Sequence, residues 1–128
     1  MKDRERKFSL SARLGSFRFA FNGIMELLRH EPNFRIHLII LTFVIAAGIF
    51  FNISSADWIA VILVSALVLS GECLNSAIEK LSDAVTPETN ERIRKAKDMA
   101  AGAVLISAIS AVITGIIIFL PELIKLFK

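Results

Sequence analysis

Three long apolar stretches alternate with charged segments along the chain. Residues 34–51, 58–79 and 99–120 are each close to the length of about 20 apolar residues that a helix needs to cross a bilayer. A brief polar turn separates the first two stretches, and a charged segment at 84–98 separates the second from the third. The pattern predicts an all-α membrane protein with three transmembrane helices. Pro121 is expected to end the third helix, because proline interrupts helical hydrogen bonding.

Before the first of these stretches, apolar residues recur every three or four positions over about residues 10–29. On a helix they form one narrow stripe with basic side chains beside it. They are Leu10, Leu14, Phe17, Phe21, Ile24 and Leu28. The pattern predicts an amphipathic helix on the membrane surface, in preference to a helix of a soluble bundle. Pro32 is expected to end this helix, because it biases Glu31 towards extended conformations.

Composition and charge narrow the class further. Hydrophobic residues make up 55% of the chain and the mean hydropathy is +0.64, which is too apolar for an ordinary soluble domain. A single domain over residues 1–128 is expected. The basic residues concentrate before the first span and in the 84–98 loop, so the positive-inside rule places both in the cytoplasm. These charges are accounted for by the membrane, and no nucleic-acid partner is expected.

Glu72 is the anomaly, because it is an ionisable side chain inside the second span. An ionisable residue at the bilayer centre costs about 2.5–3.5 kcal/mol on insertion scales, and such residues are usually functional. On a helix, Glu79 and Asp83 lie within about 20° of Glu72, and Asn75 within about 60°. One helical face therefore carries three carboxylates and an amide from the membrane interior to its surface. Repulsion between them favours a divalent cation.

The remaining charged residues point to phosphate chemistry. The 84–98 loop supplies basic side chains, Lys97 among them, and Asp98, while Glu31 precedes the first span on the same side. Carboxylates suit a metal ion, cations suit phosphates, and a deep carboxylate suits proton abstraction from a lipid hydroxyl. The combination predicts phosphoryl transfer to a membrane lipid, with Glu72 as the base.

Other interpretations remain open at this point. Glu72 could pair with a basic residue of a neighbouring subunit and be purely structural, and the basic residues could be topology signals alone. A small oligomeric, proton-coupled transporter would use Glu72 as a relay. It would not explain Glu79 and Asp83 on the same helical face, or Lys97 and Asp98 at the head of the third span. The chain also has no glycine-rich phosphate loop of the common ATP-binding types.

Two long motifs identify a family. They read Glu72-Cys-Leu-Asn-Ser-Ala-Ile-Glu-Lys-Leu-Ser-Asp83 and Lys95-Ala-Lys-Asp-Met-Ala-Ala-Gly-Ala-Val-Leu105. Together they closely resemble the signature of the prokaryotic diacylglycerol kinases, small integral-membrane lipid kinases unrelated to soluble kinases. The resemblance runs from about Phe17 to Leu120. It implies a homotrimeric helical bundle in the bacterial inner membrane, with active sites shared between subunits.

The resemblance also implies roles for individual residues. Glu72 matches the catalytic proton acceptor, and Glu31 and Glu79 match carboxylates that hold magnesium together with ATP. Positions that match the surroundings of the nucleotide are Glu31, Asn75, Glu79, Asp83, Glu88, Lys97 and Asp98. Positions that match the site of the lipid substrate are Phe34, Arg35, His37, Glu72 and Ala101.

Two positions depart from the enterobacterial members of the family. His37 stands where those proteins have a glutamate, and Ala101 stands where they have a serine. The sequence around Asn33–His37 looks more like the Gram-positive branch, which is similar to undecaprenol kinases. The expected acceptor is therefore either diacylglycerol, giving phosphatidic acid, or undecaprenol, giving undecaprenyl phosphate. Both present a primary hydroxyl at the membrane interface.

Overall fold

The computed structural model describes residues 10–85 and 90–128, which form helices and no strand. The helices are α1 (Leu10–His30), α2 (Pro32–Phe50), α3 (Ser55–Val85) and α4 (Glu91–Leu126). The predicted all-α class is confirmed. Within the described residues, α2, α3 and α4 are long and apolar enough to cross a membrane, which supports an integral membrane protein. The placement of α1 on a membrane surface stays a prediction.

The chain turns sharply between α1 and α2. Glu31 has the extended conformation (φ −107°, ψ 103°) that a following proline favours, and Pro32 opens α2. The Glu31 backbone N–H still donates to the carbonyl of Leu27, at 2.9 Å. Leu27 and Phe34 are buried on either side of this corner. The predicted break at Pro32 is therefore confirmed, and it sets Glu31 at the joint between the two helices.

A short connection joins α2 to α3 as an antiparallel hairpin. Asn52 has a φ of 50°, a left-handed conformation that asparagine tolerates better than most residues. The Asp57 carboxylate accepts hydrogen bonds from the Ser54 hydroxyl (2.6 Å) and backbone N–H (3.1 Å), and the Asp57 N–H donates to the Ser54 hydroxyl (3.2 Å). This reciprocal pair is a capping box that fixes the start of α3.

The third apolar helix extends beyond the apolar stretch at both ends. The Asn90 side chain caps α4 by accepting from the Arg92 N–H (2.9 Å), and the helix then runs unbroken to Leu126. The charged residues 91–98 are therefore helical and continuous with the apolar part of α4. The prediction that Pro121 ends the helix is wrong, since Pro121 lies inside it. The proline φ is compatible with a helix, and membrane helices tolerate the missing hydrogen bond.

The most extensive contact between helices is the one between α3 and α4. Many apolar side chains on the outer faces of the helices are exposed. A Cβ built on Gly71 would lie 3.7 Å from Val104 Cγ2 and 3.8 Å from its Cα, so the two backbones approach closely, as small residues allow in membranes. In the most apolar 18-residue stretch of each helix, 6% of the residues are buried in α4 and 22% are buried in α3. Lipid or other chains must therefore cover most of the apolar side chains of α4.

Candidate functional site

Glu72 lies buried on α3 and contacts His37 of α2. Glu72 is 4% exposed, and His37 Nε2 lies 3.2 Å from Glu72 Oε1. An ionised carboxylate can only accept hydrogen bonds, so the imidazole donates in that state. The sequence alone left open a basic partner for Glu72 from a neighbouring subunit. The structure supplies the partner from the same chain, because the α2–α3 hairpin sets the two residues side by side.

An apolar groove extends from His37 along α2, α3 and α4. Its volume is about 290 Å³. Apart from His37, its lining is uncharged, and Ser65 and Thr114 are the only other polar side chains in it. The groove runs from His37 near the start of α2 to Phe119 near the end of α4. The buried carboxylate thus lies beside the head of a groove whose walls suit a hydrocarbon chain.

One turn along α3, Asn75 and Glu79 form a second polar contact. Asn75 Nδ2 donates to Glu79 Oε1 at 3.1 Å. Asn75 Oδ1 is buried and accepts no hydrogen bond from the residues that the structure describes. Buried oxygens are almost always satisfied, so this one is available to a ligand. An amide oxygen beside a carboxylate is a donor set that suits a hard divalent cation, so these residues fit magnesium.

An ion pair with Lys80 links Glu31 to α3. Lys80 Nζ lies 3.4 Å from both Glu31 Oε1 and Glu26 Oε1, and the hydrogen bond to Glu26 raises the pKa of Lys80. The two contacts join the α1–α2 corner to α3 at the residue that follows Glu79. Lys80 therefore joins Glu31 to the helical turn that carries Glu79, and a magnesium site shared by the two carboxylates stays a prediction.

The three carboxylates of the α3 face have separate partners. Glu72 contacts His37, Glu79 contacts Asn75, and Asp83 contacts Lys97. Helical rise alone separates Glu72 from Glu79 by about 10 Å along the axis. Among the described residues, no three acidic, histidine or cysteine side chains are close enough to hold a metal ion together. A single cation shared by the whole carboxylate face is therefore excluded in this arrangement, although a cation held by one or two carboxylates and phosphates is compatible with it.

At the surface end, α4 contributes the cations. Lys97 Nζ lies 3.1 Å from Asp83 Oδ1 and ties the start of α4 to the end of α3. Arg94 binds Asp98 at 2.7 Å and Glu91 at 2.9 Å, and its hydrogen bond to Glu91 lowers the pKa of that carboxyl. These partners are exposed or half-buried, so phosphate groups have access to them.

The other predicted site residues lie apart from these contacts. Phe34 is buried at the α1–α2 corner, whereas Arg35 and Ala101 are exposed. Glu88 lies outside the described residues. The sequence predicted His37 at the lipid site but not its contact with Glu72. The antiparallel hairpin is the signal that could have found it, since two residues at similar distances from a tight turn reach similar depths.

Known proteins resemble this chain over most of its length. The model of the family described as prokaryotic diacylglycerol kinase matches residues 18–119. An undecaprenol kinase from Bacillus subtilis is 35% identical over 123 residues, which cover 96% of this chain and 100% of the relative. A diacylglycerol kinase from Synechocystis is 39% identical over 114 residues, covering 88% and 65%. A diacylglycerol kinase from Escherichia coli is 31% identical over 100 residues, covering 78% and 82%.

Proposed function

Because the chain belongs to the prokaryotic diacylglycerol kinase family, it is a lipid kinase, and we propose that it transfers the γ-phosphoryl group of ATP to the primary hydroxyl of a membrane lipid. One observation carries the proposal: the buried Glu72 adjoins the head of an apolar groove. A lipid whose chain occupies the groove would hold its hydroxyl beside this carboxylate. The names of the relatives, which are all kinases, give no support to the transporter alternative.

Glu72 is the proton acceptor in the proposed reaction. The hydroxyl oxygen of the lipid attacks the γ-phosphorus, and a new P–O bond forms while the bond to the β-phosphate oxygen breaks. The hydroxyl proton passes to Glu72, and ADP leaves with the electron pair of the broken bond. General base catalysis of this kind typically contributes about 10²- to 10⁴-fold in rate.

Binding of ATP is assigned to the surface end of α3 and the start of α4. Glu31, Glu79 and the unsatisfied oxygen of Asn75 would hold magnesium, which neutralises phosphate charge when it is bound with ATP. Lys97 would exchange its contact with Asp83 for the phosphates. Asp83, Glu88 and Asp98 remain predicted neighbours of the nucleotide, as Phe34, Arg35, His37 and Ala101 remain predicted neighbours of the lipid.

The acceptor is a lipid with a primary hydroxyl, and the two candidates are undecaprenol and diacylglycerol. An undecaprenol kinase matches along its whole length, and diacylglycerol kinases match at similar identity. The groove is built from aliphatic walls on α2, α3 and α4. Such walls suit an isoprenoid chain and an acyl chain alike, so both lipids belong in the test.

We also assign the chain to homotrimers in the bacterial inner membrane, with shared active sites. The uncovered apolar surface of α4 supports assembly, and small residues along that helix suit close contact with another chain. The basic residues of α1 and of the first turns of α4 support a cytoplasmic location for the site, where ATP is available.

The test measures transfer of labelled phosphate from ATP to lipid by the purified protein in micelles. Undecaprenol and diacylglycerol are supplied in parallel, with magnesium. We expect one or both lipids to be phosphorylated, and Glu72→Gln to lower kcat by about 10²-fold or more while the KM for ATP changes little. Glu122→Gln is the matched control, because Glu122 pairs with Lys125 near the far end of α4. ATP consumption without a phosphorylated lipid, or near-normal turnover by Glu72→Gln, would contradict the proposal.

A further inference from the structure

Among the described residues, no third charged side chain forms a hydrogen bond or ion pair with Glu72 or His37. Glu72 comes from α3 and His37 from α2, and α4 faces the adjoining groove with uncharged side chains alone. The side chain of Glu72 is 5% exposed and that of His37 is 22% exposed. Among the described residues, His37 is the only side chain that forms a hydrogen bond with Glu72.

We propose that His37 is a positioning residue, which holds the Glu72 carboxylate by one oxygen and leaves the other free for the hydroxyl of the lipid. The inference rests on the proposed role of Glu72 as proton acceptor. His37 touches neither ATP nor the transferred phosphoryl group in this scheme and acts through Glu72 alone.

The geometry of this hydrogen bond fixes the orientation of the carboxylate. A carboxylate bound at Oε1 cannot rotate freely about its terminal bond, so Oε2 keeps one direction relative to the groove. Loss of His37 would therefore leave the base in place but free to turn away from the lipid hydroxyl.

The kinetic test compares two substitutions of His37. Leucine fills a similar volume but cannot donate, whereas the amide of glutamine can donate from a similar distance. We expect His37→Leu to lower kcat by about tenfold to 100-fold, and His37→Gln to stay within about threefold of the wild type. The KM for ATP should not change in either variant. Thr42→Val is the matched control, since the Thr42 hydroxyl is exposed and bonds only the Leu38 carbonyl of its own helix among the described contacts.

Normal turnover by His37→Leu, or equal losses in the leucine and glutamine variants, would overturn the inference. A purely structural histidine would give losses that follow the thermal midpoint in micelles. We therefore expect His37→Leu to lose activity even when it is assayed well below its own thermal midpoint, where the variant is folded.

A spectroscopic arm separates this inference from the proposed function. The chain has two histidines, so His30→Gln leaves His37 as the single imidazole for ¹⁵N NMR. We expect Nε2 to carry a proton and its resonance to move in Glu72→Gln but not in Thr42→Val. An Nε2 without a proton, or one that Glu72→Gln leaves unchanged, would overturn the inference. Failure of the proposed function would appear differently, as wild-type protein that phosphorylates neither lipid.

Discussion

At the scale of single residues, the structure explains how a carboxylate is retained in an apolar helix. Inserting Glu72 into a membrane costs about 2.5–3.5 kcal/mol, whereas a hydrogen bond to a charged group contributes about 1.5–3 kcal/mol. The contact from His37 is thus of the right size to offset most of the cost. Among the described residues, His37 is the one hydrogen-bond partner of Glu72, and in the proposed reaction the second carboxylate oxygen receives the proton.

The unsatisfied oxygen of Asn75 leads to a prediction about Glu79. If Asn75 Oδ1 and Glu79 hold magnesium together, Glu79→Gln removes the charged member of the pair while the amide remains. We expect the magnesium concentration for half-maximal activity to rise by about 10- to 100-fold, as is usual when a metal site loses support. Magnesium titrations of lipid phosphorylation at saturating ATP measure this concentration.

A control variant and a contradicting outcome complete the test of Glu79. Glu122→Gln removes a carboxylate near the far end of α4 and should leave the titration unchanged. A Glu79→Gln protein with the magnesium requirement of the wild type would show that the carboxylate does not serve the metal.

At the scale of elements, the α2–α3 hairpin determines whether the site forms. Its turn is fixed by the capping box of Ser54 and Asp57 and by the left-handed Asn52. Next to the turn, the ring of Trp58 packs directly over Gly48. A hairpin held so tightly at its closed end sets the depth of α3 against α2, and hence the meeting of Glu72 with its donor.

Gly48 is therefore expected to be sensitive to a single methyl group. A Cβ there would lie 2.8 Å from Trp58 Cη2 and 3.1 Å from Ile53 Cδ1, so Gly48→Ala should destabilise the protein by about 1–3 kcal/mol through overpacking. Thermal unfolding in micelles measures the loss. Adding Trp58→Phe, which removes the atoms nearest the new methyl, should restore part of it.

Gly23→Ala is the control for that experiment. Gly23 has open space around the position of a Cβ, and alanine favours a helix over glycine by about 1 kcal/mol. The control variant should therefore be as stable as the wild type or slightly more so. If both alanine variants behave alike, the close packing of Trp58 on Gly48 is not what limits the hairpin.

At the scale of the whole molecule, most charged side chains lie at one end of the bundle of α2, α3 and α4. The α1–α2 corner, the end of α3 and the start of α4 meet through the contacts of Lys80 and Lys97. The opposite end carries the short turn after α2 and the C-terminus. Three crossings of a membrane would put these ends on opposite sides, with the proposed site on the cytoplasmic one.

Labelling of introduced cysteines tests this orientation. Cys73 is exposed, so Cys73→Ser provides the background. In intact cells, we expect a membrane-impermeant maleimide to label Lys128→Cys but to reach Arg92→Cys only after the membrane is permeabilised. Early labelling of both positions, or the reverse order, would contradict the predicted topology.

Much of this architecture could be predicted because it depends on local pattern. Apolar length predicted the long helices, Pro32 predicted the corner, and two motifs predicted the family. Prediction failed at Pro121, where a proline was taken to end a helix that in fact continues to Leu126. Proline permits a helix to continue when the surroundings tolerate one missing hydrogen bond.

The candidate site was predicted less completely, because its contacts join different helices. Helical geometry placed Glu72, Glu79 and Asp83 on one face, yet it could not show that each has its own partner. Two of those partners, His37 and Lys97, come from other helices. Angles along one helix contain no information about what a neighbouring helix presents to that face.

The hairpin also has a consequence for biogenesis. Translation delivers α2 to the membrane before α3, and only residues 51–54 separate the two helices. When Glu72 leaves the ribosome, His37 is therefore already present on the preceding helix. We expect the insertion machinery to accept the pair as one helical hairpin, with the carboxylate meeting its donor before it meets lipid. His37, the proposed positioning residue for Glu72, would then also lower the cost of inserting that carboxylate into the bilayer.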